Sequence, residues 1–185
     1  MALAITSLPR NPSLAQGLGL ALAGAALITL GAKIQIPFWP VPMTLHTLSV
    51  FLVALTLGPR LGLAAMAAYL GAGAAGLPVF SGTPERGIGL SYMVGPTGGY
   101  LLGYLVAAGL TGWLAMGRGW IGRVLAMLAG LAVVYAGGLA WLSLFVPAPK
   151  LLAAGLTPFL LGDLIKVLLA ATLMSGLSRL KGRDQ

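Results

Sequence analysis

Cysteine is absent from the 185 residues, histidine occurs once and acidic residues only three times. Without thiols there is no disulfide framework, no thiolate metal site and no cysteine nucleophile. One histidine and three acids are too few for a metal cluster. A serine-histidine dyad on His46 and Ser49, which share a face of one apolar run, lacks a Gly-x-Ser-x-Gly element and a second histidine. A phosphate-binding loop is missing too: the glycine run from Gly95 to Gly99 has no Gly-Lys-Ser/Thr ending and follows no strand. The net charge of +8 comes from basic residues scattered between apolar runs, without the clustering and interleaved aromatics of a nucleic-acid groove. No cofactor and no nucleic-acid partner are expected.

What the chain does have is apolar surface. It is 58% hydrophobic and 8% charged, with a mean hydropathy of +0.98. Soluble domains carry about a quarter charged residues, so this is an integral membrane protein. Six transmembrane helices are expected in an all-α fold of one domain, at about 14–34, 43–58, 61–77, 97–117, 124–146 and 159–177. A secretory signal ending near Ala23-Gly24-Ala25 is rejected, because the apolar run continues through Leu30. With an even number of spans both termini share one side. Placing that side in the cytoplasm gives it Arg10, Arg60, Arg118, Arg123, Arg179, Lys181 and Arg183, against Lys33, Arg86 and Lys150 opposite.

Two loops stand out. Ile36 to Pro42 has three prolines in its last six residues and two aromatics, Phe38 and Trp39, which makes a stiff segment suited to the membrane interface. Ser81 to Gly95 is longer than a plain helix connection needs and is rich in turn residues, as in lids and binding loops. Lys150 to Pro158 reads as a connection. Gly17, Ala21 and Ala25 recur at every fourth position of the first span, forming a smooth ridge that suits close approach of another helix, either of a partner or of this chain itself.

Asp163 and Lys166 are an acid and a base inside an apolar helix. A charge at the centre of a membrane helix costs about 2.5–3.5 kcal/mol on insertion scales, whereas an i,i+3 ion pair on an exposed helix returns about 0.2–0.5 kcal/mol. Spacing of three puts both on one face, where they can present an acceptor and several donors to one small polar ligand. An internal pair that also bonds a neighbouring helix is the alternative reading.

The segments Ile36-Pro37-Phe38-Trp39-Pro40-Val41-Pro42-Met43-Thr44-Leu45, Gly76-Leu77-Pro78-Val79-Phe80, Val94 to Gly103 and Leu161-Gly162-Asp163-Leu164-Ile165-Lys166 resemble, in order and spacing, those of the BioY family of biotin transporters. These are substrate-binding S components of energy-coupling factor (ECF) transporters. The resemblance implies a six-helix protein of the bacterial cytoplasmic membrane that binds biotin from outside and is not an enzyme. Its first and third loops would lie near the site, and a small-residue face on its first helix, here Gly17, Ala21 and Ala25, would dock to the transmembrane coupling subunit, itself served by ATPase subunits. It also implies ligand contacts by Asp163 and Lys166, onto which the family's Asp-x-x-Lys element maps. Thr44, His46, Gly95 and Thr97 are further candidates for the ligand site, and Phe80, Tyr92 and Tyr100 are candidates for its aromatic walls, with a membrane-interface belt as the other reading of the three aromatics. One position departs from the pattern: the family commonly has glutamine where this chain has His46. A solitary, homo-oligomeric transporter and an intramembrane enzyme using Asp163 and Lys166 are the alternatives left open by the residues.

Overall fold

The computed structural model describes residues 12–36, 43–85 and 87–181. Helix α1 (Leu14–Lys33) starts at a capping box, in which Ser13 and Gln16 exchange side-chain-to-backbone hydrogen bonds and so satisfy two exposed N–H groups. A two-residue antiparallel ribbon follows, β1 (Gln35–Ile36) with β2 (Met43–Thr44), pairing Gln35 with Thr44. The ribbon flanks the proline-rich segment, whose Phe38, Trp39 and Pro40 lie outside the described residues.

Helix α2 (His46–Ala74) is apolar over most of its length but does not run straight. Gly58 has φ of 76° and is followed by Pro59, a conformation open to glycine combined with a residue that cannot donate to the preceding turn. The chain folds back there: a Cβ on Gly62 would lie 3.2 Å from the Ala54 Cα. The short α3 (Gly89–Met93), α4 (Gly98–Leu114), α5 (Trp120–Leu142), α6 (Ala148–Gly155) and α7 (Thr157–Lys181) complete the bundle. Residues 150–158 are thus more than a connection. Pro147 and Pro149 sit at the start of α6, where a missing N–H costs nothing, and Gly155 ends it.

Four stretches are long and apolar enough to cross a membrane, Leu14–Lys33, His46–Ala74, Trp120–Leu142 and Ala148–Leu177, and Gly98–Leu114 is a shorter apolar helix. With α2 divided at Gly58, six apolar helical segments make up this all-α membrane protein. Their outward faces carry exposed Leu18, Leu22, Leu102, Val106, Leu125, Leu164 and Leu168, side chains that belong in lipid. The inward faces are joined by small residues. Along α4 and α5, a Cβ on Gly99 would lie 2.2 Å from the Trp141 Cβ and one on Gly103 would lie 2.8 Å from the Val134 Cα. Backbones this close gain dispersion energy over their whole length, which is the main attraction available between helices in lipid.

The ridge on α1 belongs to the same internal packing, contrary to its reading as a partner-docking face. Ala21 and Ala25 are buried, Gly17 faces Leu61, and a Cβ on the neighbouring Gly24 would lie 2.8 Å from the Ala65 Cβ. Gly17, Ala21 and Ala25 therefore seat the second half of α2 against α1. Residues two positions away, Ala15, Gly19 and Ala23, form a second small-residue row at the same spacing, and all three are exposed.

Candidate functional site

Asp163 and Lys166 lie on one face of α7, and each is 5% exposed. The Lys166 Nζ donates to Asp163 Oδ1 at 2.8 Å, and the Tyr135 hydroxyl, from α5, donates to Asp163 Oδ2 at 2.8 Å. Each carboxylate oxygen therefore has a donor, and the pair cancels its own charge. Lys166 retains N–H donors beyond the one given to Asp163.

A cavity of about 200 Å³ opens beside this pair. Thr44, His46, Tyr92, Thr97, Tyr100, Asp163 and Lys166 all line it, so seven of the nine residues expected at a ligand site converge there from the ribbon, the late end of the third loop and helices α2, α4 and α7. Phe80 and Gly95 stand behind the wall. Phe80 is fully buried, stacks on Tyr92 with ring centroids 4.8 Å apart and meets Tyr69 edge-on at 5.4 Å. The Gly95 carbonyl accepts from the Trp141 indole at 2.9 Å, which ties the start of α4 to α5.

Sequence reasoning missed Thr47, Tyr69, Ser81, Tyr104 and Phe159, which also line the cavity, and Tyr135 behind Asp163. Two of these carried a signal. Tyr104 lies four residues after Tyr100, on the same face of α4, and Thr47 is next to His46; their hydroxyls bond each other. Tyr69 and Tyr135 are single polar residues in runs of small and aliphatic ones, and only the tertiary structure shows where they point. His46 and Ser49, grouped on one face from spacing, separate in the fold. Ser49 bonds back to the Leu45 carbonyl and packs where a Gly31 Cβ would sit, whereas His46 turns to the cavity between Tyr69 and Tyr104, with ring centroids 5.3 and 4.6 Å away.

The loop after α2 roofs this region. Thr83 bonds the Phe80 carbonyl through its hydroxyl, the Tyr92 hydroxyl donates to the Ser81 carbonyl at 2.8 Å, and the Lys33 ammonium, at the end of α1, donates to the Thr83 carbonyl and hydroxyl at 2.8 Å each. Helices α1 and α3 thus hold the segment in place, and Thr83 closes it on itself. At the opposite end of the bundle a cleft of about 860 Å³ is lined by Pro12, the Gly58 turn, Arg60, Met116 and Arg123, far from the ion pair.

A membrane-embedded cavity with a buried, self-neutralised ion pair, a rim of hydroxyls and a roof tied down by one lysine is the architecture of a small-molecule binding protein of the bilayer. Comparison with known proteins narrows the class. The model of the BioY family matches residues 6–183, nearly the whole chain, and the protein belongs to that family. It is similar to the biotin transporter BioY of Thermotoga maritima, at 42% identity over 84% of this chain and 92% of the relative, and to the probable biotin transporter BioY of Pyrococcus horikoshii, at 40% over 85% and 91%. Its fold matches the crystal structure at 2.1 Å of the S component for biotin from an ECF-type ABC transporter, with a TM-score of 0.76 and 28% identity over 91% of this chain and 95% of that one.

Proposed function

We propose that this protein is the biotin-binding S component of an ECF-type transporter in the bacterial cytoplasmic membrane: it captures biotin from outside and hands it on with energy supplied by partner ATPases through a membrane coupling subunit. It is a transport component and not an enzyme. The observation that carries the reading is the buried Asp163–Lys166 pair on the wall of a hydroxyl-rich cavity, in a chain that belongs to the BioY family. Biotin combines a neutral ureido head with two N–H donors and a carbonyl, an apolar thioether ring and an anionic valerate tail. The Asp163 oxygens have lone pairs beyond those used by Lys166 and Tyr135, and Lys166 has remaining donors, so the pair can meet both kinds of polar group on such a ligand.

Orientation follows from charge. Arg60 and Arg123 both line the cleft beside Pro12, while Lys33 and Lys150 are at the cavity end, so the cleft end, with the start of α1 and the end of α7, faces the cytoplasm. Exposed Trp113 and Trp120 near the cleft, and Phe145 at the other end, suit two interfacial belts. The exposed row Ala15, Gly19 and Ala23 replaces Gly17, Ala21 and Ala25 as the face of α1 offered to the coupling subunit, since a helix without bulk permits the closest approach.

The purified chain in detergent should retain labelled biotin and release it to excess unlabelled biotin, and Asp163→Asn should lose that retention. Absence of saturable binding by the unmodified, folded chain would overturn the assignment. Uptake in cells with and without coupling and ATPase subunits then separates a dependent S component from a transporter that works alone.

A further inference from the structure

Among the described residues, two polar atoms in the cavity wall lack a hydrogen-bond partner, one on His46, expected at the site, and one on Tyr69, which was not. His46 Nε2 and the Tyr69 hydroxyl are buried, with their residues 8% and 1% exposed, and neither has a hydrogen-bond partner among the described residues. Both residues line the cavity beside Asp163 and Lys166. Their rings lie 5.3 Å apart at centroid, yet they do not bond each other. The neighbouring buried groups are paired within the protein: Asp163 with Lys166 and Tyr135, Tyr104 with Thr47, Tyr92 with the Ser81 carbonyl, Tyr100 with the Gly155 carbonyl. Buried polar atoms are normally paired, because leaving one unpaired forfeits its hydration without return. Two such atoms side by side on the wall of a ligand cavity mark a contact completed by the ligand.

We infer that His46 and Tyr69 form a second polar contact for the ligand, specific for the uncharged hydrogen-bonding edge of a cyclic urea, in addition to the Asp163–Lys166 pair; this rests on the assignment of the cavity as a biotin site. The charge state of the wall selects that edge. The nearest charges cancel within the ion pair. A carboxylate brought against His46 and Tyr69 would be a buried anion facing neutral donors alone, whereas a urea N–H or carbonyl loses little hydration and recovers it in the hydrogen bond. A hydroxyl donates and accepts, and an imidazole nitrogen does either according to tautomer, so both atoms suit an edge that carries donors and an acceptor together.

The test separates a binding role from a structural one. Tyr69→Phe removes one oxygen and creates no cavity, and His46→Gln and His46→Leu keep and remove hydrogen bonding. In the ligand-free protein in detergent, Tyr69→Phe should leave the thermal midpoint unchanged or raise it, since an unpaired buried hydroxyl is lost. The same variant should raise the Kd for biotin about tenfold. Biotinamide, whose tail is uncharged, should lose affinity by the same factor as biotin. His46→Leu should weaken both ligands similarly, with His46→Gln within about threefold of the unmodified chain. Unchanged affinity in Tyr69→Phe overturns the inference, as does a fall in midpoint that tracks the loss of affinity. A loss confined to biotin and spared in biotinamide would place the carboxylate at this contact and overturn it as well. If the unmodified chain binds no biotin, the functional assignment fails and the inference with it; if it binds and the variants bind equally, only the inference fails.

Discussion

The seam between α4 and α5 and the cavity beside α7 lie within one bundle but are held together by different physics. At the seam the helices touch through Gly99, Gly103, Gly137 and Gly138, with no room for a single added carbon at the tightest points. At the cavity the wall is polar, the contacts are directional and space is left. Lipid explains the contrast. Apolar side chains gain little by leaving hydrocarbon for a protein interior, so a membrane bundle is joined where backbones approach most closely, and a polar gap is maintained only where its groups satisfy one another or a ligand. The seam should therefore be intolerant of added bulk and indifferent to polarity, and the cavity the reverse.

The largest effect is expected from filling the seam. Gly99→Leu or Gly103→Leu must displace the Trp141 side chain or the Val134 backbone, because a Cβ alone already overlaps them. Folded, monodisperse protein in detergent should disappear for both variants, taking biotin binding with it. Recovery of either variant with normal binding would show that α4 and α5 can separate without consequence, and the contrast would collapse.

Next in size are changes at the ion pair, where the sign differs between single and double substitutions. Lys166→Met leaves the Asp163 carboxylate buried with only Tyr135 as donor, a situation that costs about 3–5 kcal/mol when a buried pair is broken. The double variant Asp163→Leu with Lys166→Met removes both charges and should be no less stable than the unmodified protein in a thermal aggregation assay, although its biotin binding should be abolished. A double variant less stable than either single one would assign the pair to architecture. Tyr135→Phe should have a smaller effect, weakening binding several-fold, because it removes one charge-assisted hydrogen bond worth about 1.5–3 kcal/mol from an aspartate that keeps its lysine.

The same contrast decides what the sequence could reveal. The Asp163–Lys166 pair was legible because an intramembrane charge has a cost that shows in a bare sequence, and the motif segments carried Thr44, Thr97 and Tyr100 with it, His46 and Tyr92 lying just outside them. Tyr69 and Tyr135 were not legible: each is one tyrosine among small and aliphatic residues, and a tyrosine in a membrane helix is as ordinary at a headgroup belt as at a site. The ridge on α1 shows the limit most directly. Small residues at every fourth position identify a smooth face but not what lies against it, and α1 carries two such rows. Burial of Ala21 and Ala25 and exposure of Ala15, Gly19 and Ala23 tell them apart, and burial is a property of the packed bundle alone.

A smaller effect is expected at the roof. Lys33→Met removes the donors to the Thr83 carbonyl and hydroxyl while leaving the Phe80–Tyr92 stack and the bond from Tyr92 to Ser81. Biotin should dissociate a few-fold faster from this variant, with the association rate nearly unchanged, since a loosened roof opens more often but still closes over the ligand. Stopped-flow displacement of labelled biotin reads both rates, and equal dissociation rates would mean that the lysine does not restrain the loop.

The least effect on the isolated protein should come from bulk on the outer row of α1, and it sharpens the comparison by setting two neighbouring residues against each other. Ala21→Trp drives an indole into the interface with α2, where the residue is 5% exposed, so folded yield and biotin binding should both fall. Ala23→Trp, two positions on, points its indole away from the bundle, where in the isolated chain it meets only lipid or detergent. Biotin binding by that variant should stay within about twofold of the unmodified chain. If the coupling subunit approaches α1 across Ala15, Gly19 and Ala23, the same indole blocks it, and biotin uptake energised by ATP should be lost in cells that contain the whole assembly. Gly19→Trp should behave like Ala23→Trp, since a Cβ at Gly19 meets nothing within 4 Å. Normal energised uptake in both outer variants would place docking on another helix, and loss of binding in Ala23→Trp would mean that the two rows are not separated by the bundle in the way their burial indicates.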